Sequence, residues 1–168
     1  MLELILKFIK VLNSENDPNQ ISLAFCFSMV AGFTPLFSLH NILVLFLVLI
    51  LRVNLSGFIL GLIVFSGIAY LLDPVFHRLG LFILKAGPLE GLWTVLYSST
   101  IWRLENFNNS ITMGSLAVSI ILFFPAYIIF NKLIINYRDR IKTFFEKLKI
   151  VQVMKASKIY GLYQTLSG

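Results

Sequence analysis

The sequence predicts an all-α integral membrane protein: a re-entrant or broken helical hairpin, about two full transmembrane helices, and amphipathic interfacial helices. Three observations carry that prediction. Hydrophobic residues make up 58% of the chain and charged residues only 13%, against roughly 45–50% and about 25% in soluble domains. At 168 residues a soluble fold needs more polar surface than this, because its surface is large relative to its volume. Two apolar runs, 53–72 and 111–131, reach the roughly 20 residues that a helix needs to cross a bilayer. Finally, the net charge of +6 is not spread evenly. Bases and acids balance as far as Phe130, and the excess lies beyond Asn131, where Asp139 and Glu146 are the only acids. This composition excludes an ordinary globular enzyme, a disordered tail and a disulfide-stapled secreted domain.

Residues 1–16 form an amphipathic pattern. Glu3, Lys7, Lys10 and Ser14 fall at i, i+4, i+7 and i+11, one polar stripe among Leu, Ile, Phe and Val. The run is too short to span and lacks the form of a secretory signal, so a helix lying on the membrane surface is expected. Residues 17–135 form the membrane domain. In Asp17-Pro18-Asn19-Gln20 the Asp caps free backbone N–H groups, Pro suits the first helical position, and Gln completes a capping box. The same grammar recurs at Thr34-Pro35, at Asp73-Pro74 and at Gly87-Pro88 with Glu90, so a series of short helices is expected.

The hairpin is expected over 18–51. Its apolar stretch is divided by Gly32-Phe33-Thr34-Pro35 into pieces of about 12 and 16 residues, each below the length needed to cross. One reading is a single span broken at the proline. The other is a re-entrant hairpin with both ends on one side and Gly32, Phe33, Thr34 and Pro35 at its tip. The short halves favour the hairpin. Neighbouring helices would have to cover the backbone groups loosened at the break.

In the span over 53–72, Gly57 and Gly61 form a G-x-x-x-G face for close helix packing. Residues 74–104 read as interfacial or shallow helices. There Leu89, Leu92, Trp93, Leu96 and Tyr97 keep amphipathic spacing, and Trp93, Tyr97 and Trp102 suit the head-group level. The span over 111–131 should be kinked or opened at Pro125, which frees the carbonyl of Ile121. Residues 136–168 form a basic amphipathic tail. Tyr137, Ile141, Phe144, Phe145 and Leu148 oppose Arg138, Arg140, Lys142 and Lys147, a set suited to lipid head groups. Enrichment in Lys and Arg places this C-terminus in the cytoplasm. Because the tail follows an apolar span directly, anionic lipid is a simpler partner for it than nucleic acid.

Few residues suggest chemistry. His40 is a possible proton carrier or substrate contact, since an ionisable group at membrane depth is a site hypothesis by default. The plainer and favoured reading is a neutral imidazole bonded to a carbonyl exposed by the break. Asp73, His77 and Arg78 form a polar cluster in which the Asp and His share a helix face. Two ligands make no metal site, and Asp73 is more simply the cap before Pro74. Arg52 snorkels to the membrane boundary, pairs with Asp17, or holds a lipid phosphate. Cys26 is the only cysteine, so neither an internal disulfide nor a cysteine-based metal cluster can form. Catalytic and cofactor motifs are missing from the sequence, and no enzyme activity, cofactor or metal is expected.

The stretch from Gly32 to Asn41, then Leu51-Arg52-Val53-Asn54-Leu55, resembles the hairpin signature of a broad family of small bacterial inner-membrane proteins carrying a domain of unknown function. The strings Phe65-Ser66-Gly67, Tyr70 to Pro74, Phe76 to Gly80, Phe107-Asn108-Asn109 and Met113-Gly114-Ser115 look like one uncharacterised branch of it, and the resemblance covers roughly 15–163. It implies a helical fold, a bacterial inner membrane and work beside a larger envelope protein. It transfers no activity and no catalytic residues. The expected function is a non-enzymatic, membrane-embedded subunit that seats a larger cell-envelope complex, of the kind that moves lipid or glycan precursors. Its partners would be membrane lipids and a larger membrane protein. The alternative is a small homo-oligomeric transporter or channel for a lipid or neutral solute.

Overall fold

The computed structural model describes residues 11–12 and 17–147, with side chains as far as 140. The expected surface helix over 1–16, apart from Val11 and Leu12, and the tail beyond 147 lie outside the described residues. Among the described residues from Asp17 onward there are six α-helices: α1 (Pro18–Phe33), α2 (Leu39–Ile50), α3 (Leu55–Leu84), α4 (Glu90–Ser98), α5 (Thr100–Leu104) and α6 (Ser110–Lys147). A single 3₁₀ turn, Gly87–Leu89, precedes α4. The chain packs as two units, 1–131 and 132–168. In the second, Ile134 is buried while Leu133 and Ile135 are exposed.

Helix α1 starts where its sequence says it should. The Asp17 carboxylate accepts the N–H of Asn19 at 2.9 Å, and Pro18 takes the first helical position. Thr34 differs from expectation, because it ends α1 rather than starting α2. Its hydroxyl donates to the Val30 carbonyl at 2.8 Å, and α2 begins after Ser38. The break also closes on itself. The Asn41 amide donates to the Pro35 carbonyl at 2.8 Å, and the Ser38 hydroxyl donates to the same carbonyl at 2.5 Å. Side chains flanking the break therefore satisfy its loosened backbone, a role expected of neighbouring helices.

Close contacts fix the direction of each helix. A Cβ built on Gly57 would lie 3.3 Å from Ala24 Cβ, one on Gly61 would lie 2.9 Å from Ser28 Cβ, and one on Gly32 would lie 2.8 Å from Phe65 Cβ. These three pairs advance together along both helices, so α1 and α3 run parallel. The chain between them must therefore turn back, and α2 does so. Val44 and Val48 of α2 join Ala24, Phe27, Val30 and Ala31 of α1, with Val53 and Phe58, in one buried cluster.

Helix α6 runs antiparallel to both. Its start meets the far part of α3, where His77 Nδ1 lies 2.6 Å from Ser110 Oγ. Farther along, Phe123 packs edge-on against Phe27, and Phe130 packs on Phe25 and Phe65. Next to Phe130, Asn131 donates to Asn19 Oδ1 at 2.6 Å and Tyr127 donates to the same atom at 3.0 Å. A second buried cluster joins Cys26, Met29 and Phe33 of α1 to Phe76 of α3 and Ala126 of α6.

Pro74, expected at the start of a helix, lies inside one, and Pro125 lies inside α6. Helix α3 runs through Asp73-Pro74 to Leu84, so Asp73 is not a helix cap and 74–84 is not a separate interfacial helix. A proline interrupts a helix because it lacks an N–H and crowds the preceding turn, at a cost of roughly 3 kcal/mol. Here continuation carries Phe76, only 1% exposed, and Gly80 into contact with α1 and α6, and that burial offsets the cost. Helix α6 likewise continues through Pro125, past the expected end of the span, to Lys147. By length and composition α3 and the 110–140 stretch of α6 could each cross a membrane, whereas apolar α2 is too short. At 30 residues, α3 is about 45 Å long, beyond the ~30 Å of a hydrocarbon core.

Candidate functional site

A polar contact between residues 65 apart in the sequence lies at the turn between α1 and α2. His40 is the second residue of α2, so its backbone N–H has no partner within the helix. Ser38 stands in the capping position, but its side chain makes no cap because the hydroxyl faces Pro35. Glu105 supplies what is missing. One carboxylate oxygen accepts the His40 backbone N–H at 3.2 Å, and the other pairs with Nδ1 of the His40 ring.

The local structure of the connector brings Glu105 there. It is the C-cap of α5, with its N–H bonded to the Ile101 carbonyl, and Asn106 follows at φ 54°. Asn tolerates that left-handed conformation better than other side-chain-bearing residues, and it reverses the chain. Glu105 is only 6% exposed, and Phe107 two residues on is buried against Trp93. A buried carboxylate is costly unless paired. This one is paired, and it sits at the positive end of the α2 dipole.

The pairing also fixes the chemistry of the imidazole. A carboxylate at Nδ1 favours the proton on that nitrogen, which in the neutral ring leaves Nε2 as an acceptor. His40 Nε2 is buried, and among the described residues no group hydrogen-bonds to it. The favoured expectation of a His40–carbonyl bond is therefore corrected. The ring meets a carboxylate 65 residues away, brought to it by the chain reversal at Asn106.

Other candidates lie elsewhere. Asp73 is half-buried and His77 and Arg78 are exposed on α3, and His77 turns to Ser110 rather than to Asp73. Arg52 is exposed at φ 49° in the turn between α2 and α3. There the Val53 N–H bonds the Val48 carbonyl and the Arg52 N–H bonds that of Leu49, the two bonds of a Schellman ending. Gly57 and Gly61 face α1, and at the tip Gly32, Phe33 and Thr34 are buried while Pro35 is exposed. Arg138 and Arg140 lie on α6, and the side chains of Lys142 and Lys147 fall outside the described residues. Among the described residues no group of three His, Cys, Asp or Glu is placed to hold a metal.

Sequence reasoning missed Glu105, Asn41, Gly80 and Gly114. A Cβ on Gly80 would meet the Ser110 carbonyl, and one on Gly114 would meet that of Phe76, so these glycines form the tightest crossing between α3 and α6. A signal for it existed in the spacing Ser110-x-x-x-Gly114, a small-xxx-small pair. Nothing local marks Glu105 as the partner of His40.

A protein-family model described as an uncharacterized protein conserved in bacteria (DUF2062) matches residues 4–142. No curated protein matches the chain, and no solved structure does.

Proposed function

The chain belongs to this uncharacterised family conserved in bacteria, and from that premise we propose that it is a non-enzymatic, membrane-embedded subunit seating a larger cell-envelope complex, one that moves lipid or glycan precursors. The observation that carries this reading is the outward face of α2. Ile42, Leu43, Leu45, Phe46, Leu49 and Ile50 are exposed on a helix too short to span. Large apolar side chains bared around such a helix call for lipid or a partner's helix to cover them.

Membrane insertion in the bacterial inner membrane accounts for the rest of the apolar surface. Only 28% of the most apolar stretch of α3, and 17% of that of α6, is buried within the protein. Parallel α1 and α3 support a re-entrant hairpin whose two ends share a side with Arg52. With that side cytoplasmic, Lys7, Lys10, Arg52 and the basic C-terminal segment all lie inside, as the distribution of Lys and Arg in membrane proteins requires. Arg138, Arg140, Lys142 and Lys147 then meet anionic head groups. The experiment is a mild-detergent purification of the tagged protein from its native membranes, followed by mass spectrometry. A stoichiometric larger membrane protein is expected, and a homo-oligomer alone would overturn the reading.

One observation favours a second reading, a homo-oligomeric transporter for a lipid or neutral solute. His40 and Glu105 are an ionisable pair at the end of a broken helix, where transporters place their sites. Flux in proteoliposomes that disappears in His40→Ala would establish it, and absence of flux from the wild-type protein would remove it.

A further inference from the structure

We propose that His40, Glu105 and Trp93 form a head-group site for an amphiphile that carries a primary ammonium and a phosphate, a lipid of the phosphatidylethanolamine class. The inference rests on the membrane insertion proposed above and is independent of the choice between subunit and transporter.

Two buried polar atoms here have no hydrogen-bond partner among the described residues, and they are complementary. His40 Nε2 is an acceptor once the Glu105 carboxylate holds the proton on Nδ1. Trp93 Nε1 can only donate. Both adjoin one short stretch of chain, since Glu105 pairs with His40 and Phe107 packs against Trp93. A buried polar atom without a hydrogen bond costs roughly 1–3 kcal/mol, so two beside one stretch mark a place for a group from outside the chain. The His40 side chain is still 13% exposed, which leaves the ring near the surface rather than sealed in the core.

Charge and surroundings identify that group. With a neutral ring the pair carries one negative charge, and among the described residues no Lys or Arg forms an ion pair with Glu105. A cationic donor therefore suits Nε2 better than a neutral one. The phosphate of the same head group supplies the acceptor that Trp93 needs. Exposed apolar side chains flank the site on both elements, Leu36, Phe37 and Leu39 around the tip and Ile101 and Leu104 on α5. They suit acyl chains rather than a soluble amine. Helix α1 has 16 residues and is about 24 Å long, so it carries the tip most of the way across a ~30 Å hydrocarbon core, towards the far head groups.

Lipids with identical acyl chains separate these features. Phosphatidylethanolamine offers ammonium N–H groups, phosphatidylcholine keeps the positive charge without an N–H donor, and phosphatidylglycerol offers hydroxyl donors without the charge. The full-length protein in detergent, titrated with each and read by native mass spectrometry, should bind the ethanolamine lipid about tenfold more tightly than either of the others, as befits a hydrogen bond to a charged group. His40→Leu and Glu105→Gln should each abolish that preference. Trp93→Phe keeps the ring against Phe107 and should weaken all three lipids alike, because each carries a phosphate. Glu105→Gln retains an acceptor for the His40 backbone N–H and decides the matter if His40→Leu does not fold. Equal affinity for the three lipids, a preference that survives in either folded variant, or displacement by excess free phosphoethanolamine would overturn the proposal. Failure of the membrane reading would show separately, as protein outside the membrane fraction.

Discussion

Helices α1 and α2 are both apolar, adjacent in sequence and packed on each other, yet they are buried in opposite ways. Almost every residue of α1 from Ile21 to Phe33 is buried, whereas α2 buries only Asn41, Val44 and Val48. Hydropathy points the wrong way, since the exposed α2 is the more apolar of the two, whereas side-chain size accounts for the difference. Helix α1 carries Ser22, Ala24, Cys26, Ser28, Ala31 and Gly32, and α3 approaches along that series until Gly57 and Gly61 touch it. Helix α2 is nearly all Leu, Ile, Val and Phe, which keep neighbours at a distance. In a chain with little polar surface, small residues determine which apolar helix becomes the centre.

The most severe way to break this pattern is to add bulk where small residues meet. Gly80→Val and Gly114→Val drive a side chain into the backbone of the facing helix, and each should cost about 3 kcal/mol or more. Gly67→Val has no atom within 4 Å to meet and should leave thermal unfolding in detergent nearly unchanged. Equal melting of all three would refute the crossing.

A direct contrast of the two arms comes next. Ser28→Leu in α1 should cost about 2–3 kcal/mol by overpacking against Gly61. Leu43→Ala on the outer face of α2 should stay within about 0.5 kcal/mol. Denaturant titration of the pair measures both, and similar losses would mean that size is not the criterion.

Smaller effects lie in the turn between α2 and α3. Asn54 caps α3 by accepting the Gly57 N–H at 2.6 Å, so Asn54→Ala should destabilise by about 1 kcal/mol. Arg52→Gly should work in the other direction. Relief of the left-handed conformation should raise stability by up to about 1 kcal/mol, visible as a higher melting temperature, and a fall would show that the arginine side chain matters more than its backbone.

Legibility in the sequence follows the range of the interactions. The cap at Asp17-Pro18, the break after Phe33 and the close-packing glycines at 57 and 61 each rest on a few adjacent residues. Asp73-Pro74 shows where that reasoning fails. The same dipeptide fits the start of a helix or its interior, and only the burial of Phe76 and Gly80 selects the interior. At the candidate site His40 stood out because it is ionisable within an apolar run. Glu105 did not, because an acid in a polar connector is unremarkable until a fold brings a helix end to it.

By itself the sequence determined the helical class, the length and apolarity of the segments, the position of the break and membership of the family. These depend on composition, backbone capping and residue order, which are fixed before any helix meets another. Only the tertiary structure decided that α1 and α3 run parallel, that α3 continues through Pro74, that Gly80 and Gly114 form the closest crossing, and that Glu105 holds His40. Each depends on the register between helices far apart in the chain. Register is the sum of many small packing terms spread along their faces, and no single stretch of residues contains it.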